Sequence, residues 1–483
     1  MRGISLVATP IILTALASLA GCGSPSAAPP VALSTTSSTT PVVVPVVVPV
    51  PVPAHPPTWT WESGSTTANA AGTYTAQGAP SAAGPGGRYA DIQWRDFSGN
   101  LWVFGGTGVT SNSTIGLLSD LWEYNLATNQ WTWVNGPDTV NGAGSYGTLG
   151  VAAASNLPPA RTNSVGWIDS SGNLWLFGGE SAGPTYRNDL WEYTTSTNEW
   201  TWEGGPDTTD APGVYGTEGV ASTSNIPGPR LFDTAVTEDS GAVWVWIFGG
   251  DSYGGTLSGD MNDLWRYDPA TKAWAWEAGA DTANQAGVYG TLGTPAPGNT
   301  PGARQGAMMW VDTAGNLWLF GGYGYDSTGT QGALNDLWKF TPSSREWTWE
   351  GGSDLQNPSA VYGTQGTAAA TNVPAGTFSG ASWTDSSGNF WFFGGAGEYN
   401  NELNDLWMYD PTTSEWTWEG GSPTNTAGIY GTEGVASTSN LPGARLETSA
   451  SVDSTGNVWL FGGYGYDANN NLGDLNDLWK LAP

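Results

Sequence analysis

Short apolar runs separated by polar turns fill most of this chain, and one order of runs returns again and again. In the stretch beginning at Arg161, residues up to Ile168 alternate in polarity, which predicts a strand with one buried face. Asp169-Ser-Ser-Gly-Asn173 then supplies a tight hairpin turn, with glycine where a positive φ is needed. Leu174-Trp-Leu-Phe177 is apolar on both faces, as expected of a strand inside a sheet that is itself sandwiched between neighbours, and it stops at Gly178-Gly179. A variable segment leads to a third strand, Asp189-Leu-Trp-Glu-Tyr193. A turn at residues 195–198 leads to a fourth, which carries Trp200 and Trp202. The pattern predicts four antiparallel strands and no helix.

The Gly-Gly doublets stand at Gly105, Gly178, Gly249, Gly321, Gly394 and Gly462, with spacings of 73, 71, 72, 73 and 68 residues, and we number six units by them. Such a period means stacked units whose cores are completed by their neighbours. Asp-Leu-Trp follows each doublet, opened by Asp120, Asp189, Asp263, Asp336, Asp405 and Asp477. Five of these lead to a tryptophan pair: Trp131/Trp133, Trp200/Trp202, Trp274/Trp276, Trp347/Trp349 and Trp416/Trp418. The sixth lacks one, and an unattached Trp59-Thr60-Trp61 stands before the first unit. The reading is an all-β, six-bladed β-propeller with four antiparallel strands per blade, whose ring is closed by the N-terminal strand acting as outer strand of the last blade.

An arginine before the first strand, Gly-Gly ending the second, Asn262-Asp-Leu-Trp-Arg-Tyr267 followed by Asp268-Pro269, and tryptophan in the fourth strand all recur across residues 58–483. In these features the chain resembles the kelch-repeat family, including the central-domain architecture of the galactose oxidase type. Kelch units run near 50 residues. Here an insert of about 25 residues between the outer strand and the next inner one lengthens each unit.

Formal net charge is −30, from 43 acidic residues against 13 Lys plus Arg, which disfavours nucleic acid and anionic lipid surfaces. Residues 1–21 read as an export signal: Arg2, then an apolar run from Ile4 to Ala20 too short for a membrane span. Leu19-Ala20-Gly21-Cys22 resembles the lipobox of bacterial lipoproteins, which makes Cys22, the only cysteine, the lipidation site. Gly23 in place of Asp points to the outer membrane as the address in a bacterial cell envelope. Residues 22–57, rich in Pro, Val, Ser and Thr and holding the only histidine, His55, read as an extended tether on the order of 100 Å long at about 3.1 Å per residue.

Strand alternation puts the segment after the second strand and the connection after the fourth on one face, the candidate binding surface. Arg88, Arg161, Arg230, Arg304 and Arg445 precede five inner strands and are candidates for binding an anionic ligand around a central channel, or for pairing with carboxylates; Gly376-Thr377 breaks their ring. Tyr74, Tyr146, Tyr215, Tyr289, Tyr362 and Tyr430, in near-identical inserts, suggest a structural collar. The unequal tips after the doublets supply further candidates: Glu180, Arg187, Asp251, Tyr323, Tyr325, Asp326, Tyr464, Tyr466 and Asp467.

The resemblance brings copper radical oxidases to mind, but these need histidine ligands and a cysteine, and the single His and Cys lie outside the repeats. Asp-x-x-Gly-Asn at Asp96, Asp169, Asp312, Asp385 and Asp453 is explained by a hairpin turn; as a calcium loop it lacks ligands. No cofactor is expected. The reading is a binding or scaffold module for a protein or glycan, with a sugar-modifying, epimerase-like enzyme or a purely structural envelope protein as the alternatives.

Overall fold

The computed structural model describes residues 57–239, 243–254, 257–398, 401–422 and 424–482. The expected export signal, Cys22, and the tether up to residue 56, with His55, lie outside them. Among the described residues the chain is all-β, with six sheets of four or five antiparallel strands and five sheets of three. This arrangement fits a β-propeller.

Unit two shows the local logic. Val165–Ile168, Leu174–Phe177, Leu190–Thr194 and Glu199–Gly204 pair in that order. Trp167 stands opposite Trp175 with ring centroids 6.0 Å apart, and Tyr193 stands opposite Trp200. The register shifts between Leu190 and Trp191, and equivalent bulges recur before Trp122, Trp265, Trp338 and Trp407. A bulge at one place in each sheet adds local twist. The core lies between sheets rather than within them: Leu174, Leu176 and Trp191 pack with Ile92, Trp94 and Phe104 of unit one. All 29 tryptophans sit in strands, so their large apolar surfaces supply most of this contact.

The last four-stranded sheet takes one strand from the other end of the chain. Thr58–Ser63 pairs antiparallel with Leu478–Ala482, placing Trp59 opposite Leu481 and Trp61 opposite Trp479. Trp59 is 2% exposed and packs 5.3 Å from Phe393.

The inserts cover the free edges of the outer strands. Gly150 N–H donates to Trp202 O at 2.8 Å, and Asn156 Nδ2 donates to Trp200 O at 2.9 Å. Gly78, Gly219, Gly293, Gly366 and Gly434 donate in the same way to Trp133, Trp276, Trp349, Trp418 and Trp61. An outer edge left bare would invite pairing with another chain.

The three-stranded sheets were not anticipated. The sequence pattern reads the tips after the doublets as loops. Yet Arg88–Tyr89 pairs with Thr107–Val109, which pairs with Ile115–Leu117, and the same order recurs in units two, three, four and six. The candidate arginines therefore open small sheets of their own rather than the inner strands.

Candidate functional site

Each small sheet is fastened to its larger neighbour by one buried cluster. In unit four, Arg304 Nη1 and Nη2 donate to the two oxygens of Asp336 at 2.6 and 2.8 Å. Arg304 also donates to Gly302 O and Gly321 O, both at 2.9 Å. Asp336 Oδ2 further accepts from Tyr289 at 2.6 Å and Trp338 Nε1 at 2.7 Å. The same four residue types meet around Asp120, Asp189, Asp263 and Asp477. Burial works against the charge on Arg88, but Asp120 outweighs it and holds the guanidinium above its ordinary pKa. Burial likewise disfavours ionised Asp120, yet Arg88 and the donors from Tyr74 and Trp122 pull its pKa below the usual range. The collar tyrosines are pushed upward by burial first and then by the aspartate charge, so they remain proton donors.

Of the two readings of Arg88, Arg161, Arg230, Arg304 and Arg445, the geometry favours pairing with carboxylates over binding an anionic ligand. All five are no more than 1% exposed and bound in bidentate ion pairs, so a carboxylate or sulfate from solvent does not reach them. Two further candidates are corrected for the same reason. Asp326 accepts from Thr328 and Thr330 N–H, and Asp467 from Asn469 and Asn471 N–H; both are buried turn-formers. Arg187 is also buried, donating to the Tyr146 hydroxyl at 2.6 Å.

Unit five departs from the scheme. Thr377 replaces arginine and its hydroxyl donates to Ala375 O at 3.0 Å. Asp405, 2% exposed, keeps Tyr362 and Trp407 as donors to Oδ2, but its Oδ1 has no partner. Burial pushes its pKa up to about 6.

The remaining candidates stay accessible and gather at the end of the inner strands where the small sheets lie. Glu180, Asp251, Tyr323, Tyr325, Tyr464 and Tyr466 are each partly exposed. Aromatic pairs bridge neighbouring units: Tyr186 with Tyr253, Tyr323 with Phe378, and Tyr464 with Tyr89, at 5.9, 5.5 and 5.5 Å. Tyr186 donates to Asp251 at 2.9 Å. Burial and then Asp251 raise the pKa of Glu180, and burial raises that of Asp251. Buried Asp260, Glu402 and Asp474 belong to the same tier and are raised by burial too, Asp260 to about 7 and Asp474 to about 6. The mouth thus presents carboxylates and tyrosines.

Beneath it lies a throat. Ala90, Asn163, Phe232, Gly306, Ser379 and Glu447 all have φ between 50° and 62°. Hydrogen bonds run between them: Ala90 N–H to Glu447 O, Asn163 to Ala90, Gly306 to Phe232, Ser379 to Gly306 and Glu447 to Ser379, at 2.7 to 3.0 Å. Five of the six residues are not glycine, and a left-handed backbone at such residues persists only where surrounding contacts hold it. The throat encloses a cavity of about 180 Å³, and a second of about 470 Å³ lies between the inner strands of units one to five.

No protein-family profile matches the chain. Over 281 residues, 53% of this chain and 38% of the relative, it is 27% identical to a Kelch repeat-containing protein of Arthroderma benhamiae. A stretch of 116 residues, 24% of the chain, is 31% identical to 4% of the human Multiple epidermal growth factor-like domains protein 8. The chain spans well under half the length of either relative. The first likeness, together with the all-β architecture, fits a kelch-type fold.

Proposed function

We propose that this chain is a lipid-anchored, extracytoplasmic binding or scaffold module: a closed, six-bladed kelch-type propeller that recognises a protein partner through the face carrying the small sheets. One observation carries the reading. The Arg–Asp–Tyr–Trp scaffold repeats almost unchanged, its arginines, aspartates and tryptophans buried, while the tips above it differ from unit to unit and include partly exposed Glu180, Asp251, Tyr323 and Tyr464. Repeated support with unequal tips is how a propeller acquires specificity.

Ring closure is supported by the pairing of Thr58–Ser63 with Leu478–Ala482 and by bonds between the first and last units, Ser449 Oγ to Asp91 at 3.0 Å and Gln93 Nε2 to Ser451 Oγ at 2.6 Å. Buried Trp59 and partly buried Trp61 are together worth at most about 3 to 6 kcal/mol, so deleting residues 58–62 should lower the melting temperature by about 3 to 7 degrees. Anchoring rests on Leu19-Ala20-Gly21-Cys22 and its sole cysteine, with Gly23 favouring the outer membrane. Fractionation of a Cys22→Ser variant, expected to leave the membrane, checks it.

The binding face is tested by crosslinking in intact cells. Tyr253→Ser with Tyr323→Ser should abolish the crosslinked partner, and Phe97→Ser, at an exposed hairpin tip between first and second strands, should leave it. Loss with Phe97→Ser alone would overturn the assignment of the face.

A further inference from the structure

The junction of units six and one holds acidic side chains with unpartnered oxygens. Tyr464 stands directly opposite Asp474 across two strands, so their side chains share a face, and Tyr89 meets Tyr464 edge to face. Asp474 is 4% exposed and its Oδ2 has no hydrogen-bond partner; Oε2 of Glu447 has none either. The charges of Asp474 and Glu447 bear on the Tyr89 hydroxyl, and those of Asp474 and Glu402 on that of Tyr464, after burial. Asp474 thus shares a face with one member of the aromatic pair, and Glu447, whose carbonyl accepts from Ala90 N–H beside Tyr89, lines the throat cavity with Ala90. The guanidinium groups of Arg88 and Arg445 are consumed by Asp120 and Asp477. Among the described residues no three acidic, His or Cys groups lie close enough to share one metal ion.

We propose that this junction is a subsite for an organic cation, and that its occupant is a lysine or arginine side chain of the partner protein. An ammonium or guanidinium group there would meet carboxylates at its donors and tyrosine faces along its stem, the combination that recognises cations in partly desolvated sites. Burial pushes Glu447 up to about 8 and Asp474 up to about 6, shifts that a bound cation would reverse. The proposal rests on the reading of this face as the binding surface and names the chemistry it selects.

The test is an NMR titration of the whole protein at low ionic strength with N-acetyl-arginine methylamide, its lysine counterpart, and the neutral citrulline analogue. Both basic derivatives should bind at least about tenfold more tightly than citrulline, a difference of one charge in a low-dielectric site. Asp474→Asn combined with Glu447→Gln, which keep side-chain size, should erase that preference, while Glu199→Gln, at the start of an outer strand, should keep it. Equal binding of arginine and citrulline derivatives by the wild type overturns the proposal without any variant. So does spermidine binding that competes with neither basic derivative, or affinity unchanged in the double variant, since both would mark general attraction to an acidic surface. If the derivatives discriminate as expected but the crosslinked partner survives the tyrosine changes, the subsite stands and the reading of the face fails; the opposite pair of results leaves the face and removes the subsite.

Discussion

Units four and five build the same corner of the fold from nearly the same parts, and they differ in one residue that changes its electrostatics. Arg304 in unit four neutralises Asp336 and ties it to two backbone carbonyls. In unit five Thr377 reaches only Ala375 O, so Asp405 stays buried with one bare oxygen and a pKa near 6. The fold tolerates this because Tyr362 and Trp407 still donate to the other oxygen, and because an aspartate can take up a proton where no cation is supplied. The partner arginine is thus a stabilising device that a unit can lose, whereas the aspartate with its tyrosine and tryptophan is common to all six.

The largest effect should come from breaking the pair in unit four. Arg304→Ala strands a buried carboxylate and should cost about 3 to 5 kcal/mol by chemical denaturation, against under about 1 kcal/mol for Thr377→Ala. A similar cost at both sites would erase the comparison.

Acidity sharpens it next. The folded pKa of Asp405 lies about two units above its unfolded value near 3.8, so its stabilising contribution is fully present below that value and is lost as pH rises through 6. The loss is on the order of 3 kcal/mol. Asp405→Asn, unable to ionise, should flatten the stability profile between pH 4 and 7, and Thr377→Arg should flatten it by supplying the missing charge. Asp120 and Asp189 act oppositely, since their lowered pKa values withdraw stability as pH falls below about 3.8. Optimum stability should therefore lie in weakly acidic solution.

A smaller change separates the shared parts from the optional one. Tyr289→Phe and Tyr362→Phe each remove one donor to a buried carboxylate and should cost about 1.5 to 3 kcal/mol, more in unit five, where no guanidinium remains to hold the charge. Equal losses in thermal denaturation would show that the arginine contributes little.

Much of the architecture was legible because strands and turns are local. Alternation in residues 161–168, the Asp169 to Asn173 hairpin and the tryptophan at every third strand each announce themselves within ten residues. The site was harder to read because its parts converge from far apart: Tyr289, Arg304 and Asp336 span 47 positions, and spacing alone does not reveal a shared oxygen. A signal was present in the counts. Six tyrosines and six aspartates recur in step with five arginines, and this matched inventory hints at pairing rather than at a ring open to solvent. Reading the segments after the doublets as loops, and leaving the role of the arginines open, had one cause. Two-residue strands such as Arg88–Tyr89 are too short to show a period.

The strand Thr58–Ser63 finds its partner 418 positions later, Trp61 beside Trp479. A ribosome adding about 5 to 20 residues per second leaves it waiting on the order of half a minute, tryptophans uncovered, until Leu478–Ala482 is made. Nascent chains interrupted anywhere short of Leu478 would carry a sticky, unmatched ribbon at their head, and quality control during synthesis would meet this protein there first.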